Sequence, residues 1–167
     1  MTDIMMDIET LSVDSNALII SISAIKFDLT TGDTGDTFEM GLNLKDQGDA
    51  IMDADTVLWW LSQSKEAQEQ LLGLTTEPST DVLNKFNMWI GKGVYTLWGN
   101  GATFDNVIVR NLYKRLGIPF TIPFWNDRCV RTFVDVYNID TRSYTFVGTK
   151  HNGLDDCKHQ IKYMTGK

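Results

Sequence analysis

The chain has 167 residues, of which 43% are apolar and 22% are charged. This length and composition predict one folded domain, spanning residues 1–167, that is long enough to bury a core of its own. No apolar stretch approaches the roughly 20 residues that a membrane span needs, and acidic side chains stand near the N-terminus, where a secretion signal needs a basic flank. A protein that does not enter a membrane, located in the cytoplasm, is therefore expected.

The net charge of −7 argues against a protein that follows nucleic-acid phosphates, because such proteins are usually basic. The charge is unevenly distributed, however. Residues 1–109 carry 17 acidic and 5 basic side chains, whereas residues 110–167 carry 5 acidic and 10 basic ones, so balances of −12 and +5 sum to −7. The basic last third permits a phosphate-binding flank, and ordinary solvated surface explains it equally well.

Three strands are predicted at the N-terminus. Residues 4–8 and 17–27 are apolar enough for buried strands, and the turn residues of 30–36 lead into an alternating segment, 38–44. The apolar side chains of that segment share one face: Phe38, Met40, Leu42 and Leu44. Because the connections are short, we expect an antiparallel meander.

Two helices are predicted next, because the apolar residues change to a helical period. The first begins after Asp53 or Asp55 and buries one stripe of side chains: Val57, Trp60, Leu61, Ser64, Ala67 and Leu71. The second follows Pro78, with Ser79 or Thr80 as its N-cap, and buries a shorter stripe: Val82, Leu83, Phe86 and Ile90.

The remaining elements alternate between strand and helix, which predicts one α/β domain. Residues 94–98 form a strand, and a helix from about Thr103 to Leu116 follows it. Residues 127–138 are predicted as a short strand leading into a helix, 141–150 as a loop and 152–164 as a closing helix. Cys129 and Cys157 are the only cysteines, and their spacing predicts free thiols rather than a disulfide framework or a zinc site.

Two carboxylates stand in an unusual place on the first strand. Alternation puts Asp7 and Glu9 on the same face as Met5. Side by side in a central strand, the two acids repel each other and lose hydration, and a divalent cation would relieve both penalties. Taken alone, the Asp-x-Glu pattern is weak, because a frayed strand end with solvated acids explains it too.

Two further acids and a histidine can join this pair. Asp105 lies in the first turn of a helix that starts at a strand end; the helix dipole alone favours an acid there, but such a helix would also hold the carboxylate over Asp7. His151 precedes the closing helix, and Asp156 lies within about its first turn, where it can face the sheet. His159 is expected to be an ordinary helix residue.

This set of side chains suits phosphodiester hydrolysis. Two divalent metals about 3.5–4 Å apart can activate the attacking water, neutralise the phosphate and stabilise the leaving 3′-oxygen. A histidine of ordinary pKa, near ~6.5, can take the proton of the water at neutral pH. The sequence contains no phosphate loop of the GxxxxGK type.

Three segments resemble, in order, the exonuclease motifs of the DnaQ-like DEDD superfamily: DIET (7–10), WGNGATFD (98–105) and HNGLDD (151–156). The His-x-x-x-x-Asp spacing of the third resembles the DEDDh branch. DADTVLWWLSQSKEA (53–67) and FWNDRCVRT (124–132) resemble small phage-type exonucleases and related exoribonuclease-like domains. The resemblance implies a ribonuclease H-like fold, with a five-stranded mixed sheet flanked by helices.

The same resemblance implies a metal-dependent 3′→5′ exonuclease that acts on a nucleic-acid 3′ end, with single-stranded DNA favoured over RNA. Asp7 would bridge two Mg²⁺ or Mn²⁺ ions, Glu9 and Asp156 would complete one site, and Asp105 would support the second. His151 would be the general base. The location would be the host cytoplasm if a phage encodes the chain.

Contacts to the terminal nucleotide are also implied by the resemblance. Thr10 would contact the 3′-hydroxyl and Leu11 would wedge against the last base, while Asn100 and Phe104 would line the same pocket. For Leu11 and Phe104, core packing is an equally good explanation. The usual alanine of the third motif is replaced by Gly153, which we expect to be harmless.

Two other pairs of residues have two interpretations each. Arg128 and Arg131 could meet backbone phosphate or form surface salt bridges. Trp60 is predicted to lie in the core, whereas Trp59 is a candidate for contact with a base.

Three alternatives are left open by the sequence. An exoribonuclease would use the same motifs, because they do not distinguish the 2′-position. A fold that no longer cuts could serve as a nucleic-acid-binding module. The oligomeric state, monomer or homodimer, is not determined by these residues.

Overall fold

The structure is a computed structural model that describes residues 1–74 and 76–167. Its strands are β1 (Asp3–Thr10), β2 (Ile19–Phe27), β3 (Thr34–Leu42), β4 (Thr76–Glu77), β5 (Thr96–Gly99) and β6 (Asp127–Cys129). Its helices are α1 (Ala54–Leu61), α2 (Lys65–Gly73), α3 (Ser79–Ile90), α4 (Asp105–Arg115), α5 (Val130–Val136) and α6 (Gly153–Thr165). Among the described residues, no helix is both long and apolar enough to cross a membrane.

One mixed sheet has the strand order β4-β3-β2-β1-β5-β6. The antiparallel meander β1-β2-β3 is as predicted, and β5 and β6 continue the sheet in parallel with β1. The prediction of five strands is wrong, because β4 adds a sixth. This strand has two residues, Thr76 and Glu77, which pair with Gly41 and Leu42, and a segment so short has no periodicity to recognise.

Side chains of β1 alternate between two cores on opposite faces of the sheet. Ile4, Met6 and Ile8 pack with α3 and α4, whereas Met5 packs with Trp98 of β5 and with residues of α5 and α6. Asp7 and Glu9 follow Met5 on its face. The two predicted acids therefore lie on the face of the sheet that α5 and α6 cover.

The predicted helix over 53–71 is in fact two helices, α1 and α2. Asp53 is the N-cap of α1 as predicted, its carboxylate accepting the Thr56 N–H at 2.7 Å. Ser64 does not lie on a continuous buried stripe but starts α2, accepting the Ala67 N–H. The break leaves Leu61 68% exposed, so its predicted burial is wrong.

Helix α3 buries the predicted side chains Val82, Leu83, Phe86 and Ile90. Its predicted cap is wrong, because neither Ser79 nor Thr80 caps it. The Asp46 carboxylate accepts hydrogen bonds from the Ser79 N–H and hydroxyl instead, at 3.1 and 2.6 Å. A partner 33 residues away in sequence cannot be found from the local pattern.

Candidate active site

The acidic cluster forms where strands β1 and β5 end side by side. Gly99, the last residue of β5, pairs with Met6, so that Asp7 is the next residue along β1. The chain then turns through Asn100 into α4, whose first residue is Asp105. A side chain on Gly99 would approach the Asp105 Cβ to 3.0 Å. Glycine at this position allows the Asp105 carboxylate to lie beside Asp7.

Helix α6 supplies two more polar side chains, Asp156 and Gln160, one turn apart. Gln160 is buried, and its amide Nε2 donates a hydrogen bond to the Asp7 Oδ1 at 3.3 Å. The sequence interpretation missed Gln160. Its spacing of four residues from Asp156 puts both on one face of the helix, and this spacing is the signal that could have identified it.

His151 lies in the loop before α6 with a backbone φ of 64°, which is uncommon for a residue other than glycine. Its ring contacts the Trp59 ring edge-on, with centroids 4.9 Å apart and planes at 81°. Trp59 packs on Trp60, which is buried as predicted and donates its indole N–H to the Thr10 carbonyl at 2.9 Å. The two tryptophans thus connect His151 to the end of β1.

A cavity of about 400 Å³ contains the predicted catalytic residues. Its walls include all five predicted catalytic and metal-binding residues and two of the four predicted substrate contacts: Asp7, Glu9, Asp105, His151, Asp156, Asn100 and Phe104. Arg131, Trp59 and Gln160 also line it. We call this space the acidic cleft.

A second cavity, of about 950 Å³, adjoins the acidic cleft on the side of Glu9. Thr10, Trp59 and Phe104 line it. Leu11 lies in neither space but in an apolar groove beside Leu42 and Trp60. Of the predicted substrate contacts, only Leu11 is therefore placed away from the acidic cleft and this neighbouring cavity.

The two arginines separate in the structure. Arg131 lines the acidic cleft, and its guanidinium lies 3.7 Å from the position that a Cβ on Gly101 would occupy. Arg128 is exposed and donates to the backbone carbonyls of Trp125 and Asp127. Cys129 and Cys157 are both free, as predicted.

Burial and mutual repulsion raise the pKa values of the clustered acids. Burial raises the pKa of Asp7 well above its usual range, and the charges of Asp105, Glu9 and Asp156 raise it further. Burial, followed by the charges of Asp156 and Asp105, does the same for Glu9. In the absence of a cation, a cluster of this kind lowers the stability of the folded state.

The pKa values of Asp105 and Asp156 are raised mainly by burial. Burial raises the pKa of Asp105 to about 7, although backbone N–H groups and the Arg131 charge act in the opposite direction. Burial also raises the pKa of Asp156 to about 6. For His151, burial and the charge of Lys150 lower the pKa, which keeps its imidazole neutral at pH 7.

The donor set fits a hard divalent cation. Ligand atoms of Glu9, His151 and Asp156 lie within 4.8 Å of one another, close enough to surround one ion. Carboxylate oxygens suit Mg²⁺ and Mn²⁺, and a bound cation would offset the repulsion that raises the pKa values of the acids. The geometry also gives His151 a second possible role, as a metal ligand.

Gly153, expected from the sequence to be harmless in place of alanine, lies at the closest approach of α6 to the sheet. A Cβ at this position would lie 2.6 Å from the Ser23 Cβ and 3.5 Å from the Asp7 Oδ2. Real Cβ atoms do not come so close to another carbon. The absent side chain therefore sets the distance between α6 and β2.

We predict that Gly153→Ala lowers both activity and thermal stability, because overpacking costs about 1–3 kcal/mol and moves Asp156 away from Asp7. Ser23→Gly in the same chain removes the opposing side chain and should restore much of both losses. Melting temperatures and kcat/KM of the single and double variants check this. Equal losses in the single and the double variant would contradict it.

Comparison with known proteins places the chain in a family. The family described as the 3′-5′ exoribonuclease Rv2179c-like domain matches residues 2–166. The chain belongs to this family. An exodeoxyribonuclease of enterobacteria phage T4 is 26% identical in an alignment of 200 positions, which covers 98% of this chain and 88% of the phage protein.

Solved structures share the fold of this family member. The nuclease domain of 3′hExo, a DEDDh family member bound to rAMP, has a TM-score of 0.65 at 15% identity, covering 98% of this chain and 90% of that one. The zinc-bound complex of E. coli exonuclease I with single-stranded DNA has a TM-score of 0.68 at 13% identity, covering 98% of this chain and 39% of that one. The predicted DnaQ-like, ribonuclease H-like exonuclease fold is confirmed.

Proposed function

We propose that the protein is a metal-dependent exonuclease that hydrolyses the last phosphodiester bond at the 3′ end of single-stranded DNA. The observation that carries this proposal is the acidic cleft, in which four carboxylates with raised pKa values lie beside a histidine whose pKa is lowered. Such an arrangement lowers stability without a cation and serves hydrolysis with one. Membership in an exonuclease family supports the reaction class.

Asp7, Glu9, Asp105 and Asp156 would hold two Mg²⁺ or Mn²⁺ ions. When bound, these ions neutralise the phosphate, lower the pKa of the attacking water and stabilise the leaving oxygen. The hydrogen bond from Gln160 fixes the orientation of the Asp7 carboxylate. Gly99 and Gly153 keep the chain close enough for the four acids to face one another.

His151 acts as the general base. Its neutral ring takes a proton from the water as the water oxygen bonds to phosphorus. The bond between phosphorus and the 3′-oxygen of the preceding nucleotide breaks, and that oxygen leaves with the shortened strand and takes up a proton from solvent. The products are a nucleoside 5′-monophosphate and a strand with a new 3′-hydroxyl.

The 950 Å³ cavity receives the terminal nucleotide, and we call it the terminal-nucleotide cavity. Trp59 and Phe104 offer apolar ring surface to the base. The Thr10 hydroxyl donates to the Ser12 carbonyl at 2.7 Å, which leaves its oxygen lone pairs able to accept a hydrogen bond from the terminal 3′-hydroxyl. Asp53 and Asp55 also line this cavity, and their charges disfavour a phosphate on the 3′-hydroxyl, consistent with a free 3′ end.

DNA is the proposed substrate because the T4 relative, named an exodeoxyribonuclease, aligns over nearly the whole chain. RNA is the second candidate, supported by the description of the family as exoribonucleases. Initial rates on 5′-labelled single strands of the same sequence, with Mg²⁺ or Mn²⁺, compare the two. A ladder that shortens faster for DNA supports the proposal, and a faster RNA ladder replaces it with the second candidate. The cytoplasmic location stays a prediction.

The acidic cleft also predicts how stability depends on pH. An acid whose folded pKa lies above its unfolded value stabilises the fold at low pH, and this stability is lost as the pH rises. For Asp105 and Asp156, with unfolded values of 3.8 and folded values of about 7 and about 6, the loss falls between about pH 4 and pH 7. Bound metal should reverse it.

We therefore expect Mn²⁺ to raise the melting temperature over that in chelator by more at pH 7.5 than at pH 4.5. Thermal melts followed by circular dichroism measure this difference. Asp105→Asn is the matched control, because it should flatten the decline of the metal-free protein across this range. A metal effect that is the same at both pH values would contradict the prediction.

A further inference from the structure

A third cavity, of about 560 Å³, lies between α5 and α6. Its volume is within the range of about 300–1,000 Å³ that small-ligand sites occupy. Arg131, Asn138, Thr141 and His159 are among its walls. Its walls combine Asn100 and Asp156, from two of the exonuclease-like motifs, with residues of α5, of the loop after it and of the middle of α6.

The three cavities follow one another in a fixed order. The acidic cleft shares Glu9, Trp59 and Phe104 with the terminal-nucleotide cavity. On its other side it shares Asn100, Arg131, Asp156 and Gln160 with the third cavity. The terminal-nucleotide cavity and the third cavity have no lining residue in common. A strand whose last bond lies in the acidic cleft therefore leaves toward the third cavity.

The walls of the third cavity suit a sugar and a phosphate better than a base. Arg131 provides a cation, and no carboxylate of the described residues lies within ion-pairing distance of it. Asn138 and Thr141 provide an amide and a hydroxyl. The His159 Nδ1 and the Gln160 Oε1 are buried without a hydrogen-bond partner in the described structure, and buried polar atoms of this kind require water or a ligand.

Tyr163 offers little ring surface for base stacking in this cavity. It is only 6% exposed and packs edge-on against the His159 ring with centroids 5.3 Å apart. The terminal-nucleotide cavity differs, because Trp59 is 43% exposed there. The contrast indicates that one cavity binds a base and the other binds backbone.

We propose that the third cavity binds the nucleotide on the 5′ side of the scissile bond, through its sugar and its 5′-phosphate. Asn138 and Thr141 donate to that phosphate, and the Arg131 charge favours it. Asp135, which also lines the cavity, weakens the interaction by like-charge repulsion. This inference rests on the proposed function, since it assigns the direction in which the substrate crosses the acidic cleft.

Three small substrates separate the subsites. The p-nitrophenyl ester of thymidine 5′-monophosphate has a terminal nucleotide but no preceding one. The dinucleotide TpT adds a preceding nucleoside, and pTpT adds the 5′-phosphate of that nucleoside. Ribonucleotide equivalents are used if RNA is cut faster. We expect kcat/KM for pTpT to exceed that for TpT by about tenfold, the effect of one or two charge-assisted hydrogen bonds. The advantage should fall to about twofold or less in the double variant Asn138→Gly, Thr141→Val. Glycine suits position 138, where φ is 51°.

Asp135→Asn tests the same site in the opposite direction and should increase the advantage of pTpT. Asp81→Asn on α3, which packs on the other face of the sheet, is the charge-matched control and should leave it unchanged. None of these substitutions should change hydrolysis of the p-nitrophenyl ester by more than about twofold, because the leaving group of this substrate carries no 5′-phosphate.

The outcomes separate this inference from the proposed function. If the wild-type protein cuts none of the three substrates nor a longer strand, the proposed function fails. If it cuts them but gains nothing from the 5′-phosphate, the third cavity does not bind it and the inference alone is overturned. Equal losses on the ester and on pTpT in the double variant would also overturn it, because they would indicate a general structural effect.

Discussion

Replacing Asp7 with asparagine should lower exonuclease activity by about 10³-fold or more, since its carboxylate is the common ligand of the proposed metals and metal-based charge stabilisation is worth several kcal/mol. Asparagine keeps the shape of the side chain and can still accept the hydrogen bond from Gln160 at its Oδ1. The loss should therefore come from the missing charge rather than from a disturbed fold.

The metal-free fold should become more stable in the same variant. Burial and the charges of Asp105, Glu9 and Asp156 raise the pKa of Asp7, and asparagine removes the cost of a buried acid beside these like charges. We expect the melting temperature in chelator at pH 7.5 to rise, and the stabilisation by Mn²⁺ to disappear. Opposite effects on activity and metal-free stability are typical of a functional charge cluster.

Glu69→Gln is a suitable control, because Glu69 is an exposed carboxylate that pairs with Lys65 on the surface of α2. It should leave activity and metal-dependent stabilisation unchanged. Activity of Asp7→Asn within about tenfold of wild type would contradict the metal assignment. If Asp7→Asn fails to fold, Asp105→Asn provides a second test of the same cluster.

Replacing His151 with alanine should reduce kcat by about 10²–10⁴-fold, which is the usual contribution of a general base. The metal affinity should change little if the ring only accepts the proton of the attacking water. The close approach of His151 to Glu9 and Asp156 makes this measurement informative, because the same geometry could hold an ion.

Mn²⁺ binding measured calorimetrically distinguishes these two roles. A general base predicts wild-type affinity in His151→Ala with slow turnover. A fall in affinity of about tenfold or more would instead identify His151 as a ligand, and near wild-type turnover would exclude both roles. The Trp59 ring lies against His151, so His151→Phe is avoided, since a larger ring would disturb this contact.

The position of the acidic cluster was predictable because it depends on local rules. Alternation along β1 puts Asp7 and Glu9 on one face. Asp105 and Asp156 lie in the first turns of α4 and α6, which begin next to the sheet. Of the four acids, Glu9 comes directly after a predicted strand, and Asp105 and Asp156 lie near the start of a predicted helix. Such positions need no knowledge of distant contacts.

The parts that could not be predicted depend on residues far apart in sequence. Asp46 caps α3 from a loop, and Gly153 is required because Ser23 of β2 lies opposite it. The hydrogen bond from Gln160 to Asp7 joins residues 153 positions apart. Periodicity does not contain these pairings, and the two-residue strand β4 is too short to have a period.

The order of the three cavities was equally inaccessible from the sequence. Arg131 was recognised only as one of two arginines that could meet phosphate, and the structure separates it from Arg128 by placing it in the acidic cleft. Contact between Arg131 and phosphate stays a prediction, which its position in the acidic cleft supports.

Anomalous X-ray diffraction from crystals grown with Mn²⁺ would locate the divalent metal that we propose Asp7, Glu9, Asp105 and Asp156 to hold. We predict two anomalous peaks in the acidic cleft, both within coordination distance of Asp7, and their loss in Asp7→Asn crystals. An active wild-type protein whose crystals show no peak beside Asp7, or whose peaks are bound by other residues, would contradict this metal assignment.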